Sequence, residues 1–429
     1  MKTLFTSAIL SLISICMSAQ SVPTPAPAQT KVIEIIGGTV HVGNGAVIEN
    51  ARVVIEKGKI VKVEKDGIAS GGDITVVDAK GKHIYPGFIA ANTYLGLSEI
   101  DAVRATRDQA EVGDFNTNVR SIISYNTDSR VSPTIRSNGI LLAQTIPFGG
   151  RISGTSSIVQ MDAWNWEDAA YKTDDGIWMS WPAIYNYGGW WAEPGGYVLN
   201  KDYDKQIEEI RAFFQESKAY CQGDKAEKKN LKLEGMRELF TKKKTLFVRV
   251  QEAKAIMQLI AFKREFDVQL VIVGGDDSWL VAKELAEAKI PVIMERIHTL
   301  PSRSDEDYDL PYRKPKILKD AGVLFCLSIE GFWQVRNLPF MAGTAAAYGL
   351  SKEEALASIT SDVAKILGIS ERTGTIEVGK DANILISAGD ALDMKTSLIE
   401  LAYIQGRSIN LGNKQKDLYQ KFAEKYKMK

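Results

Sequence analysis

The sequence predicts an α/β fold: a (β/α)8 barrel joined to a composite β domain that both chain ends build. Three observations carry this expectation. Short Gly- and Asn-punctuated strand runs open the chain, a related pattern returns near its end, and the long centre alternates apolar strands with helical stretches. A chain of 429 residues is long enough for one large barrel with a small second domain.

The first segment reads as a secretory leader. Lys2 precedes an apolar run from Leu4 to Met17, and Ser18-Ala19 supply small residues before Gln20. The run is too short for a comfortable membrane span. Bulky Ile15 ahead of Cys16 argues against lipid attachment there. Residues 1–19 are therefore expected to be a signal peptide, which makes the protein secreted or periplasmic. Residues 20–31 then form a Pro/Ala-rich linker (QSVPTPAPAQT over 20–30) with extended character.

Residues 32–85 hold the strand-like runs Val32–Ile36, Ala51–Ile55 and Lys59–Val63. Gly37-Gly38, Asn44-Gly45 and Lys57-Gly58 separate them, as antiparallel β-structure requires. Residues 86–369 carry the alternating region. Apolar runs at 139–147, 245–251, 268–273, 291–294 and 322–328 are followed in several cases by helical periodicity, as in Glu252–Phe266 and Trp279–Ala288. Repeated strand–helix units imply parallel βαβ pairs, and a barrel of such units puts its active site at the C-terminal ends of the strands. Residues 370–429 return to β with Gly374–Glu377 and Ile384–Ile386 and close on a charged helical tail, Asn413–Lys429.

Composition excludes some functions. Lys plus Arg and Asp plus Glu are both 53, so no net field draws the chain to nucleic acid. Only Cys221 and Cys326 follow the leader, which is no disulfide framework. The three histidines, His41, His83 and His298, lie far apart and share no motif.

Pro86-Gly87-Phe88-Ile89, Arg136-Ser137-Asn138-Gly139-Ile140, the stretch Thr344–Gly368 and GTIEVGKDA at 374–382 give the chain its relatives. On these residues it resembles the amidohydrolase superfamily, in particular the imidazolonepropionase-like members. The resemblance implies a TIM barrel plus a composite β-sandwich, and an ancestral metal-assisted hydrolysis of non-peptide C–N bonds. It also implies a metal held by two histidines alternating on the first strand, by histidines on two later strands and by an aspartate on the last. Carried onto this sequence, those positions fall on Asn92, Tyr94, Gln251, Gly274 and Glu330, with Ala90 where an acidic residue precedes the pair. Side chains two apart on a strand share a face and can grip one ion, but a metallohydrolase of this kind needs about four histidines. The expectation is a degenerate metal site and no cofactor; were one bound, it would be a divalent metal such as zinc.

Glu330 is then the one remaining catalytic candidate, a possible metal-free base. The glycine-rich Pro147–Ser156 lacks the lysine of a phosphate loop, so it reads as a loop over the barrel mouth, with Arg151 its candidate ligand contact. Residues 164–191 hold six of the eight tryptophans, among them Trp190 and Trp191, candidates for stacking on a sugar or peptide; the plain alternative is an excursion packed on itself. The charge-dense stretch Lys201–Lys244 reads as an exposed helical pair.

Three roles remain open. The leading one is a pseudoenzyme that binds a small-molecule ligand or pairs with a related amidohydrolase subunit, as a homo- or hetero-oligomer. The others are a hydrolase using Glu330 with an atypical metal or none, and a glycan or peptide binder working through the Trp-rich segment.

Overall fold

The structure, a computed structural model, describes residues 25–65, 68–190, 192–193, 195–223 and 229–428. The expected leader, Cys16 and Trp191 lie outside the described residues.

The first sheet joins both ends of the chain. Strands β1 (Val32–His41), β2 (Val47–Glu56), β3 (Lys59–Lys65), β4 (Ile74–Asp78) and β5 (His83–Pro86) come from the N-terminal segment. Strands β16 (Ile384–Ser387), β17 (Ile399–Ile404) and β18 (Arg407–Ser408) come from the C-terminal one, and β16 pairs antiparallel with β5. β1 is long enough to serve two parallel neighbours, β4 along Val32–Ile36 and β5 along Thr39–Val40. Ile35, Val40, Val53, Ile55, Ile84, Ile384 and Ile386 pack into its own core.

The barrel sheet takes the strands between, apart from one short hairpin. Its strands run in the order β15 (Phe325–Leu327), β14 (Val292–Met294), β13 (Leu270–Gly274), β12 (Thr245–Val250), β9 (Ala170–Ser180), β8 (Ile152–Gln160), β7 (Ile140–Thr145) and β6 (Phe88–Thr93). Backbone bonds through 358–359 close the ring between β15 and β6: Leu327 donates to Ser358 at 3.0 Å and Ile89 to Ile359 at 2.9 Å. The expected barrel is therefore present, with one departure. β8 runs antiparallel to both β7 and β9, so a hairpin stands where a strand–helix–strand crossover was expected. The stretch read as a glycine-rich loop supplies most of that strand. Gly154, Ser156 and Ser157 are small and buried in it, and the chain reverses within Met161–Ala169 through only the single helical turn Trp166–Ala169.

Period-two alternation sorts the barrel side chains. Leu246, Val248 and Val250 of β12 pack outward in the main core, while Phe247 points into the barrel with Ile89, Leu142, Ile158, Trp178, Val271, Val273, Ile293 and Cys326. Trp178 and Phe247 stack there at 5.1 Å. Outside, the helix Tyr203–Gln222 lays Ile207, Ile210 and Phe214 against Phe262 and Phe266 of the helix Ala253–Phe266. The Trp-rich segment divides. Trp178 and Trp181 are core residues, Trp164 is exposed, and Trp190 follows the short hairpin strand β10 (Tyr185–Tyr187), which pairs with β11 (Tyr197–Leu199).

Candidate functional site at the barrel mouth

The inward phase of each strand continues past the apolar layers into a polar layer at the C-terminal ends. Two residues beyond Phe247 stands Arg249, and two beyond Ile293 stands Glu295. On β6 the alternation changes phase. Pairing with β7 is irregular between Ala90 and Thr93, and Asn92 sits in the left-handed region at φ 57°, a conformation asparagine tolerates better than most residues. The break brings both Asn92 and Tyr94 to the mouth. Asn92 Nδ2 donates to Glu295 Oε1 at 3.4 Å, and the Tyr94 hydroxyl donates to Glu330 Oε1 at 2.6 Å.

Arg249 is the centre of this layer. Its guanidinium lies between the Phe148 ring at 5.0 Å and the Trp178 ring at 4.8 Å, where the negative faces of both rings favour a cation. Nη2 reaches the Tyr94 oxygen at 3.5 Å, and Nε stands 3.7 Å from Glu330 Oε1. Only 12% of the Arg249 side chain is exposed, against 39% for Glu330. Glu330 is thus the open edge of the cluster and Arg249 its floor.

The neighbours set the charge states. Burial raises the Glu295 carboxyl to about 7, the nearby Glu330 charge pushes it the same way, and Arg249 pulls against both. Burial also pushes the Tyr94 phenol far above its usual range, so it stays neutral and acts as a donor. One layer down, Asp175 accepts from Ser156 Oγ and from Gln144 Nε2, each at 2.7 Å. Burial raises this carboxyl to about 6 despite the two hydrogen bonds. Gln144 in turn accepts from the Asn92 backbone N–H at 3.3 Å, tying this buried triad to the mouth.

These residues do not fit the divalent metal that the fold implies. The carried-over positions offer an amide, a phenol engaged with Glu330, a second amide and a glycine. Gln251 Oε1 accepts from the Asp276 N–H at 3.2 Å. Gly274 lies at φ 87°, and a Cβ there would stand 2.5 Å from the Gln251 amide, so that position holds no side chain unless Gln251 moves. A cation between Tyr94 and Glu330 would meet the guanidinium. Among the described residues no three His, Cys, Asp or Glu side chains come together as a ligand set. The histidines sit elsewhere: His41 bonds His83 at 3.0 Å and Glu353 at 2.6 Å, and His298 bonds Thr344 at 2.8 Å.

Of the residues marked in the sequence, Tyr94 and Glu330 meet directly, Asn92 bonds Glu295, and Gly274 lies beside Gln251. Arg151 immediately precedes β8, and its Nη2 faces Glu209 at 3.4 Å. Trp190 bonds Glu193 at the hairpin and is no part of the polar layer. Arg249, Glu295, Phe148 and the Gln144–Ser156–Asp175 triad were not marked. A charged residue in the inward phase of an apolar strand, two positions after Phe247 or Ile293, was the available signal for Arg249 and Glu295.

Known proteins agree with this architecture. Residues 283–409 match the family model for the amidohydrolase family. Amidohydrolase tasK of Hapsidospora irregularis is 32% identical over 117 residues, which is 25% of this chain. The match spans only 12% of the length of that relative. An amidohydrolase from Thermotoga maritima superposes over 88% of this chain and 99% of its own, with a TM-score of 0.75 at 24% identity. A zinc-bound adenosine deaminase from Xanthomonas campestris shares the fold more loosely, covering 94% of this chain and 99% of its own with a TM-score of 0.53 at 13% identity. By its fold this chain is similar to amidohydrolases, and its residues 283–409 match their family model.

Proposed function

We propose that this is an exported amidohydrolase-fold protein that works as a binding or partner subunit and not as a metal-dependent hydrolase. The observation that carries the proposal is Arg249, a fixed cation 3.5 Å from Tyr94 and 3.7 Å from Glu330. A guanidinium supplies positive charge and directed N–H donors, but it generates no bound hydroxide and leaves no open coordination position, which are the metal's contributions to hydrolysis. The export half of the proposal rests on Lys2, the Leu4–Met17 run and Ser18-Ala19.

A second reading keeps chemistry without metal. Glu330 is the most open carboxylate of the cluster, and Glu295 beside it is held near neutrality. Two carboxyl groups in unlike surroundings are the usual makings of an acid–base pair. Against this, Glu330 Oε1 is already engaged by the Tyr94 hydroxyl.

Turnover of a panel of N-acyl amino acids, cyclic imides and dipeptides separates the readings. The binding role expects no turnover, with or without added zinc. Activity that survives chelator and is lost in Glu330→Gln would install the second reading. Activity that chelator abolishes would overturn the proposal.

A further inference from the structure

The last helix, Lys414–Tyr426, carries a surface that no other described element covers, apart from the groove that Tyr419 lines with Phe340 and Leu398. Asn413 caps it by accepting from the Lys416 N–H, and Thr134 bonds Gln415 at 2.8 Å, so its first turn is tied to the barrel. Beyond that turn no residue of the helix is buried. A helix of 13 residues is marginal on its own and normally gains its stability by packing an apolar face. Here that face is built and left uncovered. Leu418, Phe422, Tyr426 and Tyr419 fall on one side at helical spacing, and all four are exposed. The Phe422 and Tyr426 rings stack 6.3 Å apart.

The charges say what covers it. Residues 413–429 hold six lysines against two acids, a net +4 in a chain whose total is zero. Lys414, Lys421 and Lys425 border the aromatic stripe on one side and Lys416 on the other, while Asp417 and Glu424 fall on the opposite face. A second copy of this helix laid on the stripe would set lysine against lysine, with both acids turned away. Paired helices instead need complementary flanks. An apolar, aromatic stripe bordered by lysines and backed by acids matches the boundary of an anionic bilayer. There the rings enter the headgroup layer and the lysine stems snorkel to the phosphates.

We infer that the helix Lys414–Tyr426 docks the protein on an anionic phospholipid surface through Leu418, Tyr419, Phe422 and Tyr426, with the flanking lysines on the lipid phosphates. This goes beyond the binding role proposed for the barrel mouth and does not depend on it. The neutral total charge hides the patch, because its excess is balanced elsewhere in the chain.

Vesicle co-sedimentation tests it, using phosphatidylglycerol mixed with phosphatidylcholine and, separately, phosphatidylcholine alone. Phe422→Gln/Tyr426→Gln and Lys421→Glu/Lys425→Glu are compared with wild type in the same chain, so that the N-terminal apolar run contributes equally. All four positions are exposed, so folding is not at stake. Wild type is expected to sediment with the mixed vesicles and to be released by salt. Each double variant should lose at least about tenfold in partitioning. Equal sedimentation of wild type and variants, or none by wild type, would overturn the inference. A dimer in light scattering that Phe422→Gln/Tyr426→Gln dissolves, without vesicle binding, would assign the face to a second copy and overturn it equally.

Discussion

Replacing Glu295 by Gln probes the polar layer through its proton. The carboxyl is raised to about 7 in the folded chain from an ordinary 4.5. Between those two values the unfolded chain has lost the proton and the folded chain still holds it, so wild-type stability falls as pH rises through that window. Above about 7 both states are ionised and the loss is complete. A tenfold difference in proton affinity between the two states is worth about 1.36 kcal/mol. Allowing for the partial solvent access of Glu295, the loss between about pH 5 and pH 8 is roughly 2–3 kcal/mol. Glutamine occupies the same space and cannot ionise, so the variant lacks this slope. Urea unfolding of both proteins at the two pH values reads it directly, because all other titrations cancel in the difference. The glutamine variant should gain about 2–3 kcal/mol on wild type between pH 5 and pH 8. A difference that does not move with pH would show that Glu295 titrates normally, and the description of a desolvated layer beneath Glu330 would fail.

Other residues of the same layer give sharper single outcomes. Arg249→Met removes the guanidinium that pulls the Glu295 carboxyl down; its titration, followed by NMR, should move further up in pH, and an unchanged midpoint would detach the guanidinium from the cluster. Trp178→Ala deletes the largest fully buried side chain together with its stack on Phe247; a loss of about 3–5 kcal/mol in chemical denaturation is expected, and a loss under about 1 kcal/mol would mean that the barrel interior is not packed as described. His83, whose protonation burial and the adjoining His41 oppose, stays neutral in the folded chain after it charges in the unfolded one. Stability should therefore fall as pH drops below about 6.5, and His83→Gln should flatten that limb of the stability profile.

The fold was legible wherever one period dominated a segment. Strand 270–274 is apolar throughout and 245–250 is so except for Thr245 and Arg249, because both are largely buried on both faces, and the helix Ala253–Phe266 shows its stripe plainly. The hairpin β8–β9 was not legible. Gly154, Ser156 and Ser157 carry turn chemistry in the sequence, yet here small size and hydrogen bonding to Asp175 suit a buried strand. The placing of the individual tryptophans was not legible for a related reason, since nearness in sequence says nothing about which alternate residues of a strand face inward. Trp178 went into the barrel and Trp190 to the surface.

At the site, the resemblance pointed to Asn92, Tyr94, Gln251, Gly274 and Glu330, which lie at or just beyond the ends of barrel strands. It could not locate Arg249 or Glu295. The resemblance marks only where ligands should be, and Arg249 stands two residues before Gln251. Finding it requires asking which side chain fills the space that the ligands vacate, and that is a question of register and phase.

Metal per chain, by elemental analysis of protein purified without a histidine tag and then incubated with zinc, iron and manganese in turn, shows whether the barrel mouth holds a metal. Wild type should hold near-zero metal with each ion, because Tyr94 and Glu330 are bonded to each other and the Arg249 guanidinium stands beside them both. Close to one tightly held metal per chain, lost in Tyr94→Phe or Glu330→Gln, would contradict this and return the barrel mouth to the metal hydrolases.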